Sequence, residues 1–380
     1  MDKPKDNKRM DGLKKSRKKV GILTFHQCHN VGAMLGAYAL QKTVRKIGYE
    51  VEFINNTSPI YIEHGKKASH NLYRRGDEKG IYFRDYYREE LEGRWNKFES
   101  FCREQLFLSQ EIEKEDDIKR QLTKYGLILV GGDQLWNRNL EVAGDIYYIP
   151  YENDIHRIAF GTSMGDAADI SSENIEWLKR FDYIGVREET AALYIESIVE
   201  REVRVVPDNI FLLDKREWEN IAVLPKFENY MFVYLFCKNY KIFEAQLREI
   251  EQISKEIGKQ VIVCATDVWE GADTLVPVID MGPIEWLGFL LGADFVITNS
   301  FHGVAFSLAL KKQFICLDSD CRKENLLKEF KLTDRLSKHP SDIRRLLEID
   351  YQIINEQISK QRKEAILFLT KAIAKCYEEV

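Results

Sequence analysis

Residues 293–318, ADFVITNSFHGVAFSLALKKQFICLD, restrict the fold more than any other stretch of the chain. Phe295–Thr298 and Phe314–Leu317 are short apolar runs that suit strands buried on both faces. Between them, Asn299 and Ser300 are helix N-cap residue types, and Ala305–Leu310 is a small, apolar helical segment. Gly303 removes side-chain bulk where a backbone or a ligand must come close. The unit is strand, loop, helix, strand. It sets the His302 imidazole, the Ser300 hydroxyl and free backbone N–H groups at the carboxyl end of a parallel strand. Open α/β sheets bind ligands there, and helix N-termini favour anions. A histidine at a strand end is often structural. Here the neighbouring Asn299, Ser300 and Gly303 point to a ligand site.

The same alternation fills the chain before this unit. Val20–Phe25 is a buried first strand. Asn30 and Gly32 mark the turn into a helix with Ala33, Leu35, Ala37, Leu40, Val44 and Ile47 on one side; Gly48 ends it and Val51–Ile54 is the next strand. The unit resembles a nucleotide-binding fold, but it lacks G-x-G-x-x-G, so NAD is not expected. Residues 57–115 are charged and aromatic, with Phe83, Tyr87, Leu91, Trp95, Phe98 and Phe101 at helical spacing. They read as a helical insertion covering the sheet; the alternative is an acceptor-facing flap in which Trp95 stacks on sugar rings.

Leu127–Val130 breaks into GGDQLWN at 131–137. The paired glycines allow a tight turn with exposed N–H groups, an anion nest in principle. Asp133 and Gln134 are candidates for binding hydroxyls, and Trp136 reads as a packing anchor. The strand Arg157–Phe160 leads into GTSMGD, with Ser163 at its end. Tyr183–Val186 runs directly into Arg187, Glu188 and Glu189. The two acids suit the first turn of a helix. A cation there is out of place, so Arg187 either pairs with a glutamate on the surface or faces an anion. Val203–Pro207 is a sixth strand, followed by Asp208.

The polar run 214–229 reads as an interdomain linker, after which a second series begins with Tyr230–Phe236. A helix over 241–257, the strand Gln260–Ala265, a short helix over Pro283–Leu291 and the opening unit follow. Residues 341–379 carry helical spacing and read as terminal helices. The expected architecture is α/β, with two Rossmann-like domains, 20–213 and 230–380, facing each other across a cleft.

Composition narrows the function classes. A net charge of −5 over 380 residues argues against a general nucleic-acid binder. Residues 1–19, MDKPKDNKRMDGLKKSRKK, are a basic exception and read as a disordered tail, with a membrane-surface or nucleic-acid role as the alternative. No apolar signal segment follows them, and no apolar run approaches a membrane span. The seven cysteines are scattered without C-x-x-C or zinc-ligand spacing, which suits reduced thiols in a cytoplasmic protein and no metal.

Taken together, several of these strings resemble the polysaccharide pyruvyl transferase family. His29–Ala33 and Ala37–Gln41 match its H-N-x-G-A and A-Y-A-L-Q, with Gly36 where a bulkier residue is common. Residues 131–137 match G-[S/G]-D-Q-x-W-N, and Val186–Glu188 matches V-R-E. Asp208–Leu213 is similar to D-P-x-x-L-L, with Asn209 in place of the proline. Ser300–Gly303 matches [S/R]-[F/L]-H-G, and Arg322–Lys331 with Asp334–Arg335 is close to R-x-x-[N/D]-L-L…D-R.

The resemblance implies a GT-B-like fold and transfer of a carboxyethylidene group from phosphoenolpyruvate to a sugar of a surface polysaccharide or its lipid-linked precursor. It implies a cytoplasmic enzyme, with peripheral contact at the inner face of the membrane as an open point. Phosphoenolpyruvate needs cations and oriented N–H donors. Arg187, which the family uses for the donor anion, and the loop Asn299–Gly303 would supply them. His302 is the expected general acid for protonating the methylene carbon. Where some members have Arg in that loop this chain has Ser300, so Arg322 or the Ser300 hydroxyl takes over the anion. Asn30, Gly32, Asp133, Gln134 and Ser163 complete the expected substrate-binding set. No metal or redox cofactor is expected. The competing functions are a nucleotide-sugar glycosyltransferase of the same architecture and a non-catalytic glycan-binding protein.

Overall fold

In the computed structural model the described residues are 19–57, 61–66, 77–151, 154–167, 169–267, 269 and 272–378. Residues 1–18 of the expected basic tail lie outside them, and Lys19 opens the first strand.

Two separate sheets organise the chain. The first has six strands in the order β2-β1-β3-β4-β5-β6: β1 Lys19–Leu23, β2 Glu50–Phe53, β3 Leu127–Gly131, β4 His156–Thr162, β5 Tyr183–Val186 and β6 Arg204–Val205. The second has five in the order β11-β10-β7-β8-β9: β7 Tyr230–Tyr234, β8 Gln260–Cys264, β9 Val276–Val278, β10 Phe295–Thr298 and β11 Gln313–Cys316. Among the described residues every strand pairing is parallel. The α/β class and the two Rossmann-like halves are as expected.

β3 and β7 are buried along their whole length, which is why they read as unbroken apolar runs. β6 is shorter than expected and exposed, because it is an edge strand with one neighbour. β9 was not foreseen. It is a half-buried Val-Pro-Val at the other edge, where proline is tolerated because one side needs no ladder donor.

Strand order fixes where a ligand can lie. The first sheet reverses direction of winding between β1 and β3, the second between β10 and β7. Such switch points open a crevice at the carboxyl ends of the strands. The helix Val31–Lys46 leaves the first crevice and the helix Phe301–Leu310 leaves the second. Asn30 caps the former by accepting from the Gly32 and Ala33 N–H groups. The latter is buried at all ten residues, and Phe306 packs edge-on against Trp218 and Trp286.

Three segments tie the halves together. The expected linker 214–229 carries a short helix, Lys215–Glu219, started by an Asp214–Glu217 capping box. Its Trp218 is fully buried. Among its described residues the insertion carries a π-helical turn, Tyr61–Lys66, and two α-helices, Glu78–Tyr86 and Arg88–Gln105. Arg94 on the second donates to the Ala265 carbonyl at 3.0 Å, and Lys97 pairs with Asp280 at 2.7 Å. Trp95 lies against the His29 ring at 4.3 Å, which fits a covering helix.

The terminal helix Tyr351–Glu378 differs from expectation. Assigned by chain order to the second half, it spans both: its start holds to the second half, where the Tyr351 hydroxyl donates to the Ser307 carbonyl at 3.2 Å, and the rest packs on the first. Arg362 donates to the Phe211 carbonyl at 2.7 Å, Phe368 stacks on Phe160, and the Tyr377 hydroxyl reaches the Lys19 carbonyl at 2.8 Å. Its buried stripe of Ala365, Leu369, Ala372, Ile373 and Cys376 covers a face of the first sheet.

Candidate active site

The site is built around Asp208, three residues past the end of β6. Its Oδ1 accepts from the Ile210 N–H at 2.9 Å and starts the turn Asn209–Leu212. Its Oδ2 lies 2.7 Å from Arg187 Nη1 and 3.7 Å from His302 Nε2. The Asp208 and Arg187 side chains are 2% and 7% exposed, so this is a buried ion pair. Arg187 extends β5, its N–H donating to the Thr162 carbonyl and its Nε to the Gly161 carbonyl at 2.8 Å. It is therefore not the surface Arg–Glu pair that its sequence neighbours allowed. Burial alone would raise the Asp208 carboxyl; Arg187, His302 and the Ile210 N–H outweigh it and hold the group ionised, well below the usual carboxylate range.

His302 stands on the first turn of the buried helix with its ring against Gly32. A Cβ on Gly32 would sit 2.0 Å from the imidazole Cγ and Nδ1. The two switch points thus meet through these two residues. Phe301, just before His302, has two guanidinium groups over its ring, Arg187 at 5.7 Å and Arg322 at 5.3 Å from its centre. Arg322 belongs to the helix Cys321–Glu329 and is 18% exposed at its side chain.

Glu188 is the other buried carboxyl. It occupies the N-cap position of the helix Glu189–Val199 but makes no side-chain cap. Its Oε1 accepts from the Ser163 hydroxyl, which also receives the Gly165 N–H at 2.9 Å. Burial pushes Glu188 above the usual carboxylate value; the Ser163 hydroxyl, Arg187, Arg322 and the Met164 N–H only partly oppose it. Arg187, Glu188, Asp208, Phe301 and Arg322 line one end of a cleft of about 740 Å³. The cleft continues between the β5–β6 edge and the terminal helix, past Arg204, Lys371 and Lys375.

The remaining expected residues serve these groups from behind. Asn299 clamps β10 to β7, its Oδ1 accepting from the Phe236 N–H and its Nδ2 donating to the Phe236 carbonyl, both at 2.8 Å. Ser300 caps the His302 helix by accepting from the Gly303 N–H at 3.4 Å. Gly303 lets that helix approach β10, since a Cβ there would lie 2.2 Å from Thr298 Oγ1. Asn30 is spent on capping. Asp133 takes a left-handed φ of 57° and its carbonyl accepts from the Ser163 N–H at 2.9 Å. Gln134 accepts from Asn137 Nδ2 at 2.8 Å. So Arg187 and His302 meet at Asp208, Ser163 meets the Glu188 carboxyl, Arg187 and Arg322 line the cleft while His302 and Ser163 lie behind its lining, and Gly32 is the seat of His302. Asn30, Asp133, Gln134, Asn299, Ser300 and Gly303 brace them.

Sequence reasoning passed over three groups here. Asp208 enters the sequence reading only through its motif, although an acid directly after the apolar run Val203–Pro207 is the available signal. Glu188 was read as a helix-start residue. Lys323, 1% exposed at its side chain, donates to the Asn299 carbonyl at 2.9 Å and fixes the loop from below. Among the described residues one group suits a metal by composition, His156, Asp182 and Cys376. It lies at the amino end of β4, and Asp182 Oδ2 already accepts from the Arg157 N–H at 2.7 Å.

Comparison with known proteins places this geometry. The structure is similar to a UDP co-structure of MnaA from S. aureus, with a TM-score of 0.53, 12% identity, and coverage of 96% of this chain and 98% of that one. It is also similar to UDP-GlcNAc 2-epimerases from Neisseria meningitidis (TM-score 0.51, 9% identity, 94% and 99% covered) and Methanocaldococcus jannaschii (TM-score 0.51, 12% identity, 88% and 93% covered). These likenesses show the fold, the two-domain GT-B arrangement, and nothing finer. No curated protein matches the sequence. The family model for polysaccharide pyruvyl transferase matches residues 30–320, which hold Gly32, Arg187, Glu188, Asp208, Phe301 and His302, while Arg322 lies two residues beyond the match. The match spans well over half of the chain, and the chain belongs to the polysaccharide pyruvyl transferase family.

Proposed function

We propose that the enzyme takes its pyruvyl group from phosphoenolpyruvate and transfers it, as a carboxyethylidene ketal, to two hydroxyls of one sugar in a lipid-linked or polymeric surface glycan. The observation that carries this reading is the pair of guanidinium groups, Arg187 and Arg322, that both lie over the Phe301 ring and line the cleft. Phosphoenolpyruvate bears a phosphate and a carboxylate on adjacent positions, and planar guanidinium groups match both anions. Arg322 then supplies the cation that Ser300 does not.

In the proposed reaction His302 donates a proton to the methylene carbon, which becomes the methyl group. One sugar oxygen bonds to the central carbon, the phosphate leaves with its C–O electron pair, and the second sugar oxygen closes the ring. The ketal carbon is at the same oxidation level as the enol phosphate, and the arginines offset the anion charge. The reaction therefore calls for no redox cofactor and no metal. Asp208 holds Arg187 and faces His302, fixing both side chains' positions.

We place the reaction in the cytoplasm, at the inner membrane face when the acceptor is lipid-linked. Among the described residues no helix is long and apolar enough to cross a membrane. The fold likeness favours a second reading, a nucleotide-sugar transferase. Phosphate release from phosphoenolpyruvate with a panel of nitrophenyl glycosides, followed by mass detection of the ketal, tests the first. Turnover of a UDP-sugar with no use of phosphoenolpyruvate would replace it by the second.

A further inference from the structure

We propose that Glu188 is a second catalytic group of this site, the general base that takes the proton of the attacking sugar hydroxyl. This rests on the pyruvyl-transfer reading above. Ketal formation moves more protons than His302 alone can handle: one is delivered to carbon and one must leave each hydroxyl. Glu188 is 6% exposed and lines the same cleft end as Arg187, Phe301 and Arg322, whereas His302 approaches from the Gly32 side. Its Oε1 is fixed by Ser163, and its Oε2 has no hydrogen-bond partner. A buried carboxylate oxygen left open beside two arginines is costly unless a ligand completes it.

The groups facing it are Arg187 beside it on the strand end, Arg322 and Cys321 from the helix Cys321–Glu329, Ser163 from the β4 loop and Asp208 from the turn after β6. The two buried acids have opposite environments. Asp208 is held ionised by its partners, while burial raises Glu188 above the ordinary carboxylate value and so makes it the more basic of the two. In the proposed step the sugar O–H bond breaks and its proton goes to Glu188 Oε2. The O–C bond forms as His302 protonates the methylene carbon. The second hydroxyl proton leaves with phosphate, and solvent resets both residues.

Glu188→Gln keeps the Ser163 contact but cannot accept a proton. Turnover should fall about 10²–10⁴-fold, with the melting-temperature rise induced by phosphoenolpyruvate unchanged. The acid limb of the wild-type pH–rate profile, where activity drops as the base is protonated, should vanish. If Glu188→Gln does not fold, Glu188→Ala with added formate carries the test, and formate should restore part of the turnover. Wild-type turnover matched by the variant, or loss of donor binding with the acid limb intact, would overturn the role of Glu188 alone. A wild-type protein that neither binds nor consumes phosphoenolpyruvate would overturn the pyruvyl-transfer reading and this inference with it.

Discussion

Gly32 and His302 touch across the two halves, and the contact leaves no room for a side chain: a Cβ at Gly32 would stand 2.0 Å from the imidazole. One residue follows β1 and the other follows β10, so each belongs to its own sheet's switch point. Gly32→Ala should therefore displace His302. Overpacking of this kind costs about 1–3 kcal/mol, and a shift of about 1 Å at a catalytic group can cost on the order of 10²-fold in rate. Urea unfolding and turnover measured on the same sample check both parts. A variant with wild-type rate would show that the imidazole position does not matter to the chemistry.

Asp208→Asn should separate the ion pair from the ligand it prepares. The substitution leaves the Arg187 charge buried without its counter-charge, which costs about 3–5 kcal/mol. A bound dianion restores that counter-charge. Phosphoenolpyruvate should then raise the melting temperature of Asp208→Asn by more than it raises that of the wild type. An equal or smaller rise would mean that the donor does not reach Arg187.

His302 carries the proton in this account. His302→Ala should reduce turnover by about 10²–10⁴-fold with little change in donor affinity. His302→Gln keeps a hydrogen-bond donor and should bind but fail to turn over. Loss of binding in both, with normal rate at saturating donor, would make His302 an anion ligand instead.

The loop after β1 makes stability sensitive to mild acid. Burial lowers the His26 imidazole from its ordinary 6.5 to about 4, against the Thr24 carbonyl and Asn55. Between those values the unfolded chain binds a proton that the folded one refuses. Stability should thus be full above pH 6.5 and fall as pH drops toward 4, by on the order of 3 kcal/mol from this group. His29, also lowered by burial, acts in the same direction. Urea midpoints across this window should slope for the wild type and flatten in His26→Gln.

The parts of this molecule that were legible in its sequence are those set by local burial. β3, β7 and β10 are buried on both faces, so each is an unbroken apolar run. The terminal helix shows its apolar stripe, but periodicity does not say which sheet the stripe covers, and the fold lays the helix from the second half across to the first. At the site, Arg187 and His302 stood out because each is a charged or titratable group at a strand end. Asn299, Ser300 and Gly303 stood out for the same loop, yet a helix N-terminus needs those residue types for its own capping and packing, and that is how they are used. Asp208 and Glu188 act through partners on other strands, Arg187 with His302 and Ser163 respectively, and no local pattern encodes such pairings.

The central claim is that the part of the cleft lined by Arg187 and Arg322 is a phosphoenolpyruvate site formed by those two residues. Calorimetric titration of phosphoenolpyruvate into the wild type, Arg187→Ala and Arg322→Ala, with UDP-GlcNAc as the competing ligand, tests it most directly. Saturable binding of phosphoenolpyruvate by the wild type, weakened at least about tenfold in each variant as expected when a charge-assisted contact worth about 1.5–3 kcal/mol is removed, is the predicted result. Binding of UDP-GlcNAc in place of phosphoenolpyruvate, or donor affinity indifferent to both arginines, would contradict it.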